Sequence, residues 1–254
     1  MYQTIEFVEG GYRYIPSVFQ YSGGVAALPG YQVVRETLIK PLPVSAGFDF
    51  IAKRLADIDR PLQSFCACEL RSPGQFSEQG FRAFNETYVA TLREWRVMDD
   101  GPINPVARSN VCPEINGPSE PVFHAFAYTV PTQSVLPTGI VAGSGEAREP
   151  QTVNDTYRDT IVRYGETSSD AINDKARFVV EEMERRLSAL DLGWQDTTAV
   201  QVYTVYDYHG SVADMARDGV GRAGLTWHFA RPPVQGLEFE MDCRAIHQEL
   251  VSNV

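Results

Sequence analysis

No run of about 18 uninterrupted apolar residues occurs in this 254-residue sequence, so no membrane-spanning helix is expected. Nor do basic residues cluster. The 22 Lys and Arg are scattered among 33 Asp and Glu, and the net charge of −11 would repel a phosphate backbone, which argues against nucleic acid as a partner. The opening residues, from Met1 to Phe7, lack the basic head and apolar middle of a secretory signal, so a cytoplasmic protein is expected. Cysteine is sparse, at 66, 68, 112 and 243. Cys66 and Cys68 do not form a C-x-x-C pair; on a strand they would share one face, as small buried hydrophobes. The four histidines (124, 209, 228 and 247) show neither H-x-x-x-H nor H-x-H grouping, so no metal site is expected. Gly143-Ser144-Gly145 lacks the lysine and the spacing of a phosphate-cradling loop.

A hydrophobic fraction of 43% and a charged fraction of 22% are ordinary for a globular protein. The length suits one large domain or two of roughly 125 residues. Hydrophobic periodicity predicts strands near residues 4–13 and 31–39, a helix over 45–58 with Phe48, Ile51, Leu55 and Ile58 on one side, a strand over 65–70, a helix over 77–95, and strands over 107–115 and 122–130. The second half gives a similar series: a strand at 140–146, a strongly amphipathic helix over 170–190, a strand at 200–206, a short helix at 209–218, and strands at 225–230 and 237–246. The repetition predicts an α+β chain of two domains, 1–131 and 132–254.

Two short runs carry the chemistry. In the first, Phe81, Phe84 and Tyr88 fall on one helix face with Asn85 beside them. In the second, Arg108 and Ser109 open a strand after the breaker-rich stretch 99–105. A guanidinium offers a planar fork of donors to a carboxylate, and an amide supplies both a donor and an acceptor. Together with the turn Ser22-Gly23-Gly24, this Asn and Arg in this order resemble the RidA/YjgF family of imine and enamine deaminases. The resemblance implies two tandem RidA/YjgF-like (chorismate-mutase-like) domains, each a β-sheet backed by two helices, assembled as a homotrimer. It also implies a small-molecule carboxylate as substrate, and requires no metal or organic cofactor. The stretches 65–73 and 107–114 resemble a tandem branch of 2-aminomuconate deaminases, including those with chloro-substituted substrates.

On that resemblance Arg108 binds the substrate carboxylate and Asn85 orients the substrate or the hemiaminal. The Ser22-Gly23 turn and Ser109 offer backbone N–H groups. Asn110 stands where the family often has a cysteine, and Ser144 opens the matching turn of the second half. A carboxylate of raised pKa, Glu146 or Glu240, activates water and protonates the departing ammonia. A dicarboxylate would need a second cation, for which Arg71, Arg148 and Arg222 are candidates. Taken alone, Arg108 reads as the partner of a structural carboxylate and Glu146 as surface beside a glycine turn. A chorismatase-like hydrolase and a non-catalytic carboxylate-binding protein are the rival readings.

Overall fold

Alternating apolar residues build two β-sheets, and the computed structural model describes them over residues 2–148 and 156–253. The first sheet contains β4 (Tyr31–Pro43), β5 (Phe65–Arg71), β6 (Ala107–Pro113) and β7 (Val122–Pro131). Two short late strands close its edges, β11 (Ala230–Arg231) beside β6 and β13 (Glu249–Ser252) beside β4, giving the order β11-β6-β5-β7-β4-β13. The second sheet runs β1 (Ile5–Phe7), β2 (Tyr12–Tyr14), β3 (Gly24–Ala27), β8 (Gly139–Gly145), β12 (Glu240–Ala245), β9 (Ala199–Tyr203) and β10 (Leu225–His228).

Helices α1 (Val44–Asp57) and α2 (Glu78–Glu94) cover the outer face of the first sheet, where Phe48, Ile51, Tyr88 and Leu92 pack on Phe65, Leu70, Phe123 and Phe126. The outer face of the second lies under α4 (Ser169–Ala189) and α5 (His209–Arg217), through Ile172, Val179, Met183 and Met215. A single helical turn, α3 (Tyr157–Thr160), precedes α4. Ser77 and Ser168 start α2 and α4 by accepting the backbone N–H three residues on, from Gly80 (3.1 Å) and Ala171 (3.3 Å). The inner faces meet through small residues, Ala67, Ala107 and Ala127 against Ala142 and Val25, so the two sheets pack face to face in an α/β/β/α stack.

This arrangement corrects the expected pair of RidA/YjgF-like domains, each with its own sheet backed by two helices. The chain is a mixed α+β fold whose two sheets exchange strands. β1–β3 join the sheet of the second half, while β11 and β13 complete that of the first. Periodicity locates a strand but not its neighbour, and strands of two to four residues carry too little pattern to name one. Cys66 and Cys68 are buried free thiols, as expected, but they do not share a face. A register irregularity between Phe65 and Ala67 puts Cys66 between the sheets, whereas Cys68 faces α2 with its Sγ 3.4 Å from the Tyr88 hydroxyl.

A buried ion pair ties α4 to the second sheet. Glu146, just past β8, and Lys175, on the inner face of α4, are both inaccessible and meet at 3.0 Å. Lys175 also donates to the Val162 carbonyl (2.9 Å), and the Glu146 carboxylate accepts the backbone N–H groups of Glu238 (2.7 Å) and Phe239 (3.0 Å). Removing one partner strands a buried charge, at a cost of about 3–5 kcal/mol. Lys175→Met is therefore expected to lower the melting temperature by on the order of 10 °C. The double variant Glu146→Gln/Lys175→Met should recover much of that loss in a thermal melt, because no charge is then left stranded and the amide oxygen can still accept a backbone N–H.

Candidate active site

Strand alternation on β6 divides its side chains. Ser109 points into the space between the sheets, where its Oγ donates to Asp242 Oδ2 at 2.6 Å. Arg108 points towards α2, and the helical spacing of Phe81, Phe84 and Tyr88 brings three rings around it. The guanidinium carbon lies 4.8 Å from the Tyr88 ring centre, 5.7 Å from Phe81 and 5.8 Å from Phe84, with Tyr21 at 5.5 Å completing the cage. Ring faces hold a cation but leave its N–H groups unused. Arg108 is only 3% exposed, yet neither Nη1 nor Nη2 has a hydrogen-bond partner among the described residues. Each buried donor left so costs about 1–3 kcal/mol. Such a cost persists where a ligand satisfies the group.

That ligand has a place to sit. Arg108 lines a cavity of about 450 Å³ where α2, β6, β8 and β12 converge, and Asn110, Ser144, Tyr21 and Glu240 line it too. Asn110 accepts from Ser72 Oγ (2.9 Å), but its Nδ2 is buried and unpaired among the described residues. Met241 and Cys243 of β12 pack under α4, so Glu240 and Asp242 face the first sheet. Glycine at 143 lets this happen: a Cβ there would run into Glu240 Oε1 and stand 3.2 Å from Ser109 Cα.

Two carboxyl groups two residues apart on β12 have different surroundings. Asp242 accepts three hydrogen bonds, from Ser109 Oγ (2.6 Å), Tyr203 OH (2.9 Å) and Gln201 Nε2 (2.8 Å). No described residue donates one to Glu240. Burial, then the negative charges of Asp242 and Glu146, hold the Glu240 carboxyl well above the usual carboxylate range, against the pull of Arg71 and Arg108. Glu240 therefore keeps a proton where an ordinary glutamate loses it, and it faces the cavity.

The expected site residues are only partly assembled here. Arg108, Asn110, Ser144 and Glu240 share the cavity. Asn85 is buried in α2, its Nδ2 donating back to the Phe81 carbonyl (2.6 Å) and its Oδ1 unpaired among the described residues. It is not among the residues lining the cavity. The Ser22 and Gly23 N–H groups are spent on the carbonyls of Val106 and Ile15, both at 2.9 Å. Ser109 turns to Asp242, and Glu146 to Lys175. Burial raises the Glu146 carboxyl pKa, against the pull of Lys175 and of its backbone donors. Sequence reasoning missed Asp242 and Arg186, the latter also lining the cavity. Arg186 had a signal: it lies three residues after Met183 and seven after Val179, inside the apolar stripe of α4. Among the described residues no group of three or more His, Cys, Asp or Glu side chains could hold a metal ion.

Arg108→Met fills the aromatic cage without the unpaired donors. It should melt at the same or a higher temperature than wild type while losing carboxylate binding. Calorimetric titration with a dienoate reads the second effect, expected at about 1.5–3 kcal/mol of affinity.

A family model described as 2-aminomuconate deaminase CnbZ matches residues 4–250. A 2-amino-5-chloromuconate deaminase from Comamonas testosteroni is 46% identical over 254 residues, covering 99% of this chain and 100% of that protein. Among solved structures, a chorismatase matches with a TM-score of 0.48 and 11% identity, over 88% of this chain and 77% of that one. The family match spans nearly the whole chain, and the relative aligns from end to end; the chain belongs to the 2-aminomuconate deaminase CnbZ family.

Proposed function

We propose that this chain hydrolytically deaminates an enamine/imine carboxylate, 2-aminomuconate or a chloro derivative, to ammonia and a 2-oxo acid. The observation that carries the reading is the buried, unpaired Arg108 guanidinium facing the same cavity as the proton-holding Glu240. The family and the 46% identical relative support the choice of substrate.

In this reading Arg108 binds the carboxylate beside the amino-bearing carbon, through charge-assisted hydrogen bonds at the two nitrogens that lack partners. Asn110 Nδ2 supplies a further donor. A 2-aminodienoate is an enamine, and protonation at carbon makes C2 an electrophilic iminium. Glu240 gives that proton and becomes a carboxylate. The carboxylate then takes a proton from water as the water oxygen bonds to C2, forming a carbinolamine. Glu240 passes this proton to nitrogen, the C–N bond breaks, and ammonia leaves. The proton of the new C–OH returns to Glu240 as the carbonyl forms. One water is consumed, one ammonia is released, and the side chain ends as it began. Asp242 takes no proton in this sequence; its three hydrogen bonds favour its charged form against the rise caused by burial and Glu69, and that charge helps to keep Glu240 protonated.

The test is ammonium release together with loss of diene absorbance on freshly generated 2-aminomuconate. Wild type is expected to exceed the spontaneous rate, and Glu240→Gln to lose at least 100-fold in kcat, on the order expected for a general acid–base group. No wild-type turnover above background would overturn the proposal. Because the folded-state pKa of Glu240 is raised, its contribution to stability is full below the ordinary carboxylate pKa and is lost as pH rises. Glu240→Gln should therefore be at least as stable as wild type at neutral pH.

The pH profile provides a second check. Activity needs protonated Glu240, so kcat/KM falls as pH rises through its elevated pKa. Asp242→Asn removes the neighbouring charge that helps to raise that pKa. The alkaline limb is expected to move to lower pH.

A further inference from the structure

Resting on the deaminase reading, which supplies a substrate with a carboxylate at each end, we propose that Arg186 is the second carboxylate fork of the cavity and the residue that selects dicarboxylates. Arg186 comes from α4, on the opposite sheet layer from Arg108, and its side chain is 12% exposed. The two arginines line one cavity.

The way Arg186 is held decides which of its edges is available. Its Nε donates to Glu182 Oε1 at 2.7 Å. Glu182 is itself saturated, accepting from the Tyr2 hydroxyl (2.7 Å) and from Arg185 Nε and Nη2 (3.0 and 2.9 Å). One carboxylate thus faces two guanidiniums, and the cluster keeps a net positive charge. At the far end of Arg186, Nη1 reaches only the Gly23 carbonyl, at the long distance of 3.5 Å, and no described residue accepts from Nη2. A guanidinium anchored through Nε presents its two terminal nitrogens end-on, an edge that suits the two oxygens of a carboxylate.

Tyr21 lies within reach of both cations. Burial raises its phenol pKa, and of the two arginines that pull it back Arg186 acts more strongly than Arg108. Arg82 and Arg148 line the same cavity, whereas Arg71 and Arg222 do not. Arg71 is between the sheets, donating to the Leu70 carbonyl (2.9 Å) and facing Glu69 (3.5 Å). Arg82, at the solvent side of the cavity, is 74% exposed and pairs with Glu86 (3.2 Å), so it lacks the burial that makes Arg186 selective, and Arg222 borders a separate surface hollow beside Trp194. Arg148 lies at the rim over the Phe178 ring (5.8 Å).

A site built to bond a charged group rejects an analogue lacking it, because the site's own groups are then left unpaired. Muconate and sorbate share one six-carbon diene and differ by the second carboxylate. Their dissociation constants, measured by calorimetric titration on the full chain, isolate the second fork. Wild type is expected to favour muconate by on the order of 10- to 100-fold. Arg186→Met should abolish that preference by weakening muconate alone, with sorbate unchanged; Arg108→Met should weaken both ligands. Arg186→Lys, which keeps the charge but loses the fork, should retain only part of the preference, and it serves as the test if Arg186→Met does not melt cooperatively. A full muconate preference surviving in a folded Arg186 variant, or equal wild-type binding of the two ligands, would overturn the proposal. Failure of the deaminase reading looks different: no turnover of 2-aminomuconate by wild type, whatever the two binding constants.

Discussion

The site depends on one buried cation that the protein does not satisfy. Arg108 is enclosed by four aromatic rings, and both of its terminal nitrogens lack a partner among the described residues. A folded chain tolerates this only with a compensating source of stability, and the large cores on both outer faces supply it. The rings pack around the guanidinium, so a ligand bonding to it would meet donors that are already oriented. That geometry also explains why α2 carries aromatic residues at 81, 84 and 88 above the only outward-facing cation of β6 among the described residues.

The opposite wall works by contrast between neighbours. Glu240 and Asp242 share a strand face, and what separates them is hydrogen bonding: three donors stabilise the charged form of Asp242, and no described residue donates to Glu240. Burial raises the pKa of both carboxyls, but in Asp242 the hydrogen bonds of Ser109, Gln201 and Tyr203 oppose that rise, whereas Glu240 has no such described donor. Ser109 belongs to this wall as a hydrogen-bond partner of Asp242, which is how a residue next to Arg108 acts on the opposite sheet.

Helix α4 bridges core and site. Most of its inner stripe is apolar, but Lys175, Glu182 and Arg186 interrupt it, each with a named partner. Lys175 anchors Glu146 at the exit of β8, which fixes the turn along one edge of the cavity. Glu182 orients Arg186 towards that cavity. The helix is thus a packing element along most of its length and a charged scaffold at a few positions.

Much of the local structure was legible in the residues themselves. The periodicity of Phe48, Ile51 and Leu55 marks α1, and the spacing of Phe81, Phe84 and Tyr88 marks the face of α2 that meets Arg108, because both follow from 3.6 residues per turn. Arg108 and Glu240 could be singled out as residue types suited to binding a carboxylate and moving a proton. Their meeting could not, since it requires β6 and β12 to lie in facing sheets with a glycine at 143 between them. Nor could the sequence separate Glu146 from Glu240. Both are buried glutamates near glycine-rich or alternating strands, and only the packed structure gives one a lysine and two backbone donors and leaves the other without a described donor. Local pattern is set by bonds within a few residues, so the sequence by itself determined the helices and most strands. Strand exchange between the sheets and the environment of each acid are set by contacts between segments distant in the chain, and those only the tertiary structure decided.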